Sequence, residues 1–123
     1  MKSILIIEDN PSNLTLTVDI LKRDNYDILT ATNAEDGIKL AKEALPDLIL
    51  MDIQLPGTDG LTATRILKQH TSTQHIIIIA LTAHAMKGDE EKMLDAGCDG
   101  YIAKPIRYKE FLETIHEFLV ENA

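Results

Sequence analysis

Short apolar runs, each followed by a segment with helical spacing, recur along the chain and constrain its fold more than any other feature. Residues 4–7 and 48–51 are wholly apolar, and residues 76–81 form the strongest run. Runs of this length are typical of strands buried on both faces of a parallel sheet. Two weaker runs, at 26–31 and 100–103, bring the predicted strands to five.

Helix-start and helix-stop signals separate the predicted strands. Asn10 and Pro11 open a first helix that ends near residues 24–25, and Asn33 opens a second. We expect Ile38 and Leu45 on the apolar stripe of the second helix. Three further helices are predicted, at about 59–69, 86–96 and 108–120.

Strand and helix thus alternate five times. This order predicts parallel βαβ units with right-handed crossovers and helices on both faces of the sheet, which is a doubly wound α/β fold. The length of 123 residues suits one domain, and no linker or repeat interrupts it. We therefore expect a single domain over residues 1–123.

Composition excludes several classes of protein. A net charge of −8 without a Lys/Arg cluster argues against nucleic-acid binding. The single cysteine, Cys98, excludes an internal disulfide and is expected in the core. The four histidines lack metal-ligand spacing, so we expect them to be exposed or partly buried. No apolar run approaches the roughly 20 residues that span a bilayer, so we expect no membrane contact and a cytoplasmic location.

Polar residues stand at the ends of four of the five predicted strands. In a doubly wound sheet, ligands bind beyond the carboxyl ends of the strands. Taken singly, each of these residues has an ordinary interpretation as a helix start, a turn residue, a cap or a solvated lysine. Their coincidence at one edge favours a site, whose residues are Glu8, Asp9, Asp52, Thr82 and Lys104.

The chemistry of this set points to phosphoryl transfer. Carboxylates a few ångströms apart repel each other unless a cation intervenes. Lys104 can neutralise one charge, and a set of oxygen ligands favours Mg²⁺ over zinc or copper. A carboxylate such as Asp52 can act as a nucleophile and become an aspartyl phosphate, with Lys104 and Thr82 supplying donors for the phosphoryl oxygens. The small Ala83 leaves room for the incoming group.

With these residues in hand, the sequence over about residues 2–121 resembles the receiver domains of two-component response regulators. The resemblance rests on Glu-Asp-Asn at 8–10, Leu-Met-Asp-Ile-Gln-Leu-Pro-Gly-Thr-Asp-Gly at 50–60, Ala-Leu-Thr-Ala at 80–83 and Lys-Pro at 104–105. It implies a flavodoxin-like three-layer sandwich with the strand order 2-1-3-4-5. Receivers of phosphorelays, hybrid kinases and stand-alone cell-cycle regulators are the most similar.

The resemblance implies that Asp52 is the phosphoacceptor. Mg²⁺, or Mn²⁺ in its place, would be surrounded by Glu8, Asp9, Asp52 and the backbone carbonyl of Gln54. The family often has Asp where Glu8 stands, so we expect Glu8 to reach a metal-bound water. Gln54 also occupies a position that tunes dephosphorylation in the family.

The resemblance also implies a switch. Thr82 would bond the phosphoryl group, Lys104 would pair with it, and Tyr101 would change rotamer together with Thr82. The peptide bond between Lys104 and Pro105 is a candidate for the cis form. Phosphorylation would then alter the surface around the fourth helix and fifth strand, at residues 84–92 and 101–108, which includes Met86.

The implied partners are proteins. A histidine kinase or phosphotransfer protein would donate the phosphoryl group, facing the first helix near Asn13 and Leu14. We expect no output domain beyond residue 123 and therefore expect a downstream effector protein to take the signal from a monomer or weak dimer. The chain would be a phosphoacceptor regulator, not an enzyme, and promote only its own phosphorylation and slow dephosphorylation.

Four alternatives were compared with the residues, and the last of them is the serious runner-up. An FMN electron carrier shares the strand order, but the acidic residues at 8–10 would repel the FMN phosphate. A dehydrogenase lacks its Gly-x-Gly-x-x-Gly, and a haloacid-dehalogenase-type phosphatase needs an aspartate where Gln54 stands. The fourth, a phosphorylation-independent interaction module, is disfavoured by the intact Asp9, Asp52, Thr82 and Lys104.

Overall fold

Strands and helices alternate along the whole of the described chain. The structure is a computed structural model that describes residues 2–83 and 87–121. The elements are β1 (Ser3–Ile7), α1 (Pro11–Arg23), β2 (Asp27–Ala31), α2 (Ala34–Ala44), β3 (Leu48–Asp52), α3 (Gly60–Gln69), β4 (Ile77–Thr82), α4 (Lys87–Ala96), β5 (Gly100–Ala103) and α5 (Tyr108–Glu121). The five strands form one parallel sheet in the order β2-β1-β3-β4-β5. The predicted fold is confirmed.

The sheet separates two apolar cores, which explains why its central strands have uninterrupted apolar sequences. Along β1, Leu5 and Ile7 face one core, while Ile4 and Ile6 face the other. All five residues of β3 are buried. Since successive side chains of a strand point to opposite faces, a strand covered by helices on both sides needs apolar residues throughout.

Side-chain caps start the first three helices where the sequence predicted them. The side-chain oxygens of Asn10, Asn33 and Asp59 each accept a hydrogen bond from the backbone N–H three residues further on, at 3.0, 2.8 and 2.8 Å. Each bond satisfies one of the N–H groups that a helix start leaves without a partner. The starting points of α1, α2 and α3 are therefore local properties of the sequence.

The expected placement of Leu45 is wrong. Leu45 ends α2 in a left-handed conformation with φ of 48°, and 48% of its surface is exposed. Pro46 disfavours the right-handed helical conformation of the residue before it, so the stripe stops one turn early. Ile38, the other expected member, does pack against the core.

The remaining core and surface expectations hold where the structure describes the residues. Cys98 is buried, and His70, His75 and His116 are exposed. His84 and Met86 lie outside the described residues. Within residues 2–83 and 87–121, no helix is long and apolar enough to cross a membrane.

A close contact between α3 and the end of β3 requires a glycine. A Cβ atom added to Gly60 would lie 2.6 Å from the Cα of Ile53 and would also overlap the backbone oxygen of Asp52. Both neighbours are backbone atoms, which have little freedom to move away. Gly60 thus lets α3 begin directly behind the strand end that carries Asp52.

We expect Gly60→Ala to lower the free energy of unfolding by about 1–3 kcal/mol, because the added methyl overpacks the contact. In an unobstructed helix the same change is stabilising by up to about 1 kcal/mol. The sign of the change in the free energy of unfolding therefore shows whether the methyl group overpacks the contact. Urea denaturation measures it. Arg65→Ala, at an exposed position of the same helix, is the control and should stay within about 0.5 kcal/mol. A Gly60→Ala protein as stable as the wild type would contradict the packing.

Candidate functional site

The register of the sheet brings the polar strand ends to one edge. Across adjacent strands it pairs Ile7 with Met51, Asp52 with Leu81, and Thr82 with Ala103. Glu8, one residue beyond β1, therefore lies beside Asp52, and Lys104, one residue beyond β5, lies beside the end of β4. The convergence that the sequence predicted follows directly from parallel pairing.

Three carboxylates meet at this edge. One oxygen each from Glu8, Asp9 and Asp52 lies within 4.8 Å of the others. Glu8 and Asp52 are buried, with 1% and 3% of their surfaces exposed, while Asp9 is exposed. An ion with ligands at about 2.1 Å spans opposite ligands roughly 4.2 Å apart, so the spacing fits Mg²⁺.

The ammonium of Lys104 lies between the two buried carboxylates. Its Nζ is 2.9 Å from Oε1 of Glu8 and 3.3 Å from Oδ2 of Asp52. Sequence reasoning expected Lys104 to neutralise one charge and missed that its shorter contact is with Glu8, a residue 96 positions away. The one sequence feature that indicates this contact is the longer side chain of Glu8 at a position where the family often has Asp.

The second oxygen of Glu8 is exceptional. Among the residues that the structure describes, Oε2 of Glu8 is the buried side-chain atom without a hydrogen-bond partner. A buried acceptor left in this way costs free energy unless a proton or a cation compensates it. Together with a donor set made of oxygens alone, this atom indicates that the residues fit a hard divalent cation.

The environment shifts the pKa values of the two buried carboxyls in opposite directions. Burial raises the pKa of Glu8, the adjacent Asp52 raises it further, Lys104 opposes both, and the result is about 7. Burial also favours a higher pKa for Asp52, but the adjacent carboxyl of Glu8, the hydrogen bond from the backbone N–H of Gln54 and the charge of Lys104 hold it below its ordinary value. Asp52 thus favours the ionised form, and Glu8 gains or loses its proton near neutral pH.

Two hydrogen bonds orient Asp52 and the loop after it. Oδ1 of Asp52 accepts a hydrogen bond of 2.9 Å from the N–H of Gln54, and the N–H of Ile53 donates to the carbonyl of Leu81 at 3.2 Å. Sequence reasoning did not foresee the first of these, because any residue at position 54 has the same N–H. The side chain of Gln54 is exposed.

The other predicted residues flank this cluster. Thr82 is buried at the end of β4, and its carbonyl accepts a hydrogen bond of 2.7 Å from the N–H of Lys104. Tyr101 is half-buried on β5 and packs against the core on the side of Leu5 and Ile7. The peptide bond between Lys104 and Pro105 is cis, as the resemblance suggested.

Known proteins resemble this chain in both sequence and fold. Residues 4–116 match the profile of the response regulator receiver domain. The polar-differentiation response regulator DivK of Brucella anthropi is 47% identical over 118 residues, which is 96% of each chain. The receiver domain of the sensor histidine kinase PA1611 of Pseudomonas aeruginosa, crystallised with a magnesium ion in its active-site cleft, superposes with a TM-score of 0.90 at 34% identity over 97% of this chain and 98% of that chain. The chemotaxis response regulator CheY4 of Vibrio cholerae has the same fold, with a TM-score of 0.92 at 21% identity over 97% and 99% of the two chains.

The chain belongs to the response regulator receiver family. It is a phosphorylation-dependent switch of two-component signalling, which is the general function of this family. A histidine kinase and a downstream effector are the general partners of such a domain, and Mg²⁺ binds at its acidic site.

The raised pKa of Glu8 predicts that Mg²⁺ binding depends on pH. A proton on Glu8 competes with the cation, so the stabilisation by Mg²⁺ should weaken as the pH falls from about 8 to about 6, through the Glu8 pKa of about 7. The rise in melting temperature on adding Mg²⁺, compared at the two pH values, measures this.

Glu8→Gln is the matched control, because glutamine keeps an oxygen at this position and does not titrate. Its response to Mg²⁺ should be weaker than that of the wild type and the same at both pH values. An equal pH dependence in the variant would show that another group titrates.

Proposed function

We propose that Asp52 accepts a phosphoryl group from a phosphohistidine. The Mg²⁺ that the reaction needs, or Mn²⁺ in its place, is held in this proposal by Glu8, Asp9, Asp52 and the backbone carbonyl of Gln54. The observation that best supports this is the state of Asp52. It is a buried carboxylate whose pKa lies below its ordinary value, although burial alone favours the opposite. An ionised carboxylate beside side chains that can hold a divalent cation has the properties of a nucleophile.

In the proposed step, an oxygen of Asp52 attacks the phosphorus atom of the donor. The P–N bond breaks, its electron pair returns to the imidazole nitrogen, and the phosphoryl group stays on Asp52 as an acyl phosphate. The bound cation supplies positive charge to the equatorial phosphoryl oxygens. The N–H of Gln54, 2.9 Å from Oδ1 of Asp52, holds the carboxylate in place during the attack.

Lys104 supplies the second positive charge. Its pKa is raised, because the carboxylates of Glu8 and Asp52 outweigh the effect of burial, which is to lower it. The ammonium therefore stays charged and lies within reach of a group attached to Asp52. In the proposal, Lys104 exchanges its contact with Asp52 for one with the phosphoryl oxygens, and the hydroxyl of Thr82 at the neighbouring strand end bonds another oxygen.

The signal then passes to the surface of α4, β5 and the start of α5. Tyr101 lies on β5, within this surface, and we assign it the role of following Thr82 when the phosphoryl group binds. Tyr108, at the start of α5, is an exposed large apolar residue on this surface, and aromatic side chains of this kind are enriched in protein interfaces. Residues 84–86, which the sequence also places here, lie outside the described residues.

The start of α1 is the proposed contact for the phosphoryl donor. Asn13 and Leu14 are half-buried there, Leu14 packs against the core, and Leu16 has 49% of its surface exposed. An exposed leucine on a helix that begins beside Glu8 and Asp9 offers a docking partner an apolar contact next to the site. The chain itself turns over no external phosphoesters in this proposal, since Gln54 provides no acid or base.

Asp52→Asn should abolish labelling by a radioactive acyl phosphate or by a phosphorylated histidine kinase in the presence of Mg²⁺, because the amide is not a nucleophile. Asp27→Asn, which changes the same chemical group at an exposed position at the start of β2, is the control and should label like the wild type. Circular dichroism checks that both variants are folded. Equal labelling of the Asp52→Asn and wild-type proteins would overturn the assignment, and a wild type that takes up no label would favour a phosphorylation-independent interaction module.

Lys104→Met should slow the incorporation of label by at least about tenfold, because one charge that meets the phosphoryl oxygens is lost. It should also lower the free energy of unfolding near pH 8 more than near pH 6. The reason is that Lys104 lowers the pKa of Glu8, so its loss penalises the ionised form of Glu8 and leaves the protonated form almost unaffected. Urea denaturation without Mg²⁺ at both pH values measures the second effect. An equal loss at both pH values would contradict the coupling between Lys104 and Glu8.

A further inference from the structure

One face of α3 connects the acceptor strand with the far end of α4. Gly60, Thr64 and Lys68 are spaced four residues apart and so share a face of the helix. Gly60 abuts the backbone of Asp52 and Ile53. One turn further, the buried hydroxyl of Thr64 donates to the carbonyl of Gly60 at 2.8 Å. Lys68 continues this face towards the opposite edge of the sheet.

Lys68 makes the polar contacts at that edge. Its Nζ donates to the carbonyl of Ile76 at 2.7 Å and to Oδ2 of Asp99 at 2.9 Å. Only 19% of the Lys68 side chain is exposed. Since hydrogen bonds of a charged donor are about twice as strong as neutral ones, Lys68 is firmly attached both to the start of β4 and to the residue that precedes β5.

Asp99 links Lys68 to the sheet through hydrogen bonds with the backbone of β4. Its Oδ2 also accepts a hydrogen bond of 2.8 Å from the N–H of Ile78, and its own N–H donates to the carbonyl of Ile78 at 2.8 Å. The stem of Lys68 packs on the turn after α4, because a Cβ atom on Gly97 would lie 2.9 Å from Cγ of Lys68. Gly97 has φ of 108°, so the turn itself depends on glycine.

The burial of α4 is uneven along its length. Met93 and Ala96, in the C-terminal half, are buried in the core. Of the residues whose burial is described in the N-terminal half, 89–92, none is buried. The C-terminal end of α4 is thus held by apolar packing and by the contacts of Lys68 and Asp99, while the described residues 89–92 lack comparable burial.

We propose that Lys68 and Asp99 are positioning residues that anchor the C-terminal end of α4, so that phosphorylation at Asp52 displaces the N-terminal half of the helix about this fixed end. The displacement rests on the proposed function; the anchor does not. Because α3 begins against the backbone of Asp52 and ends in the anchor, one rigid helix fixes both the acceptor and the pivot.

Hydrogen exchange, followed by mass spectrometry of peptides, tests the anchor without any phosphoryl group. Lys68→Met keeps an apolar stem over Gly97 and removes the ammonium. It should speed exchange in residues 93–99 by about tenfold, the effect of losing charge-assisted hydrogen bonds, and leave peptides of β1 and β3 at the wild-type rate. Asp99→Asn should have a similar effect, and the double variant should be no worse than the stronger single one. Arg65→Met, exposed one turn away on α3, is the control.

The same measurement with Mg²⁺ and beryllofluoride, a mimic of the phosphoryl group, tests the pivot. In the wild type, exchange should change in residues 89–92 and stay unchanged in 93–99. In Lys68→Met both segments should respond, while labelling of Asp52 by acyl phosphate stays within about twofold of the wild type.

Wild-type exchange in residues 93–99 of both Lys68→Met and Asp99→Asn would overturn the anchor. A response of residues 93–99 equal to that of 89–92 in the wild type would overturn the pivot. A wild type whose Asp52 takes up no label would overturn the proposed function and the pivot with it, whereas the phosphate-free exchange still decides the anchor.

Discussion

Two buried carboxyls, Glu8 and Asp52, share one lysine at the edge of the sheet, and the site depends on this arrangement. Removing two carboxylates from water is expensive, and Lys104 alone cannot neutralise both. The excess raises the pKa of Glu8 to about 7, while the pKa of Asp52 stays below its ordinary value. An acceptor poised for phosphoryl transfer and a site with a place for a divalent cation are therefore consequences of the same imbalance of charge.

The sheet brings these charged side chains together because its strands can pair in only one register. β3 is buried on both faces, and a slip of one residue would exchange the side chains of its two faces. The slip would also move Asp52 away from Glu8, which stands opposite it only because Ile7 pairs with Met51. The apolar runs thus determine the chemistry of the edge, although none of their side chains takes part in it.

What the sequence predicts well is local or repetitive. Runs of apolar residues locate the strands, and Asn10, Asn33 and Asp59 locate three helix starts, because each signal acts within a few residues. Leu45 was misplaced because its apolar character fits the helical stripe, while its conformation obeys the proline that follows. The contact of Lys104 with Glu8 was missed because it joins residues 96 positions apart, and no local pattern records which of two carboxylates a long side chain prefers.

The contacts of Lys68 illustrate the same limit at the other edge of the sheet. In the sequence Lys68 reads as the basic residue of a last helical turn, which is favourable there without any partner. In the fold its ammonium meets the carbonyl of Ile76 and the carboxylate of Asp99. A helix that begins against the acceptor strand and ends in these contacts cannot tilt without breaking one of them. We therefore expect a change at Asp52 to move residues that the core holds less firmly, such as 89–92 of α4, none of which is buried.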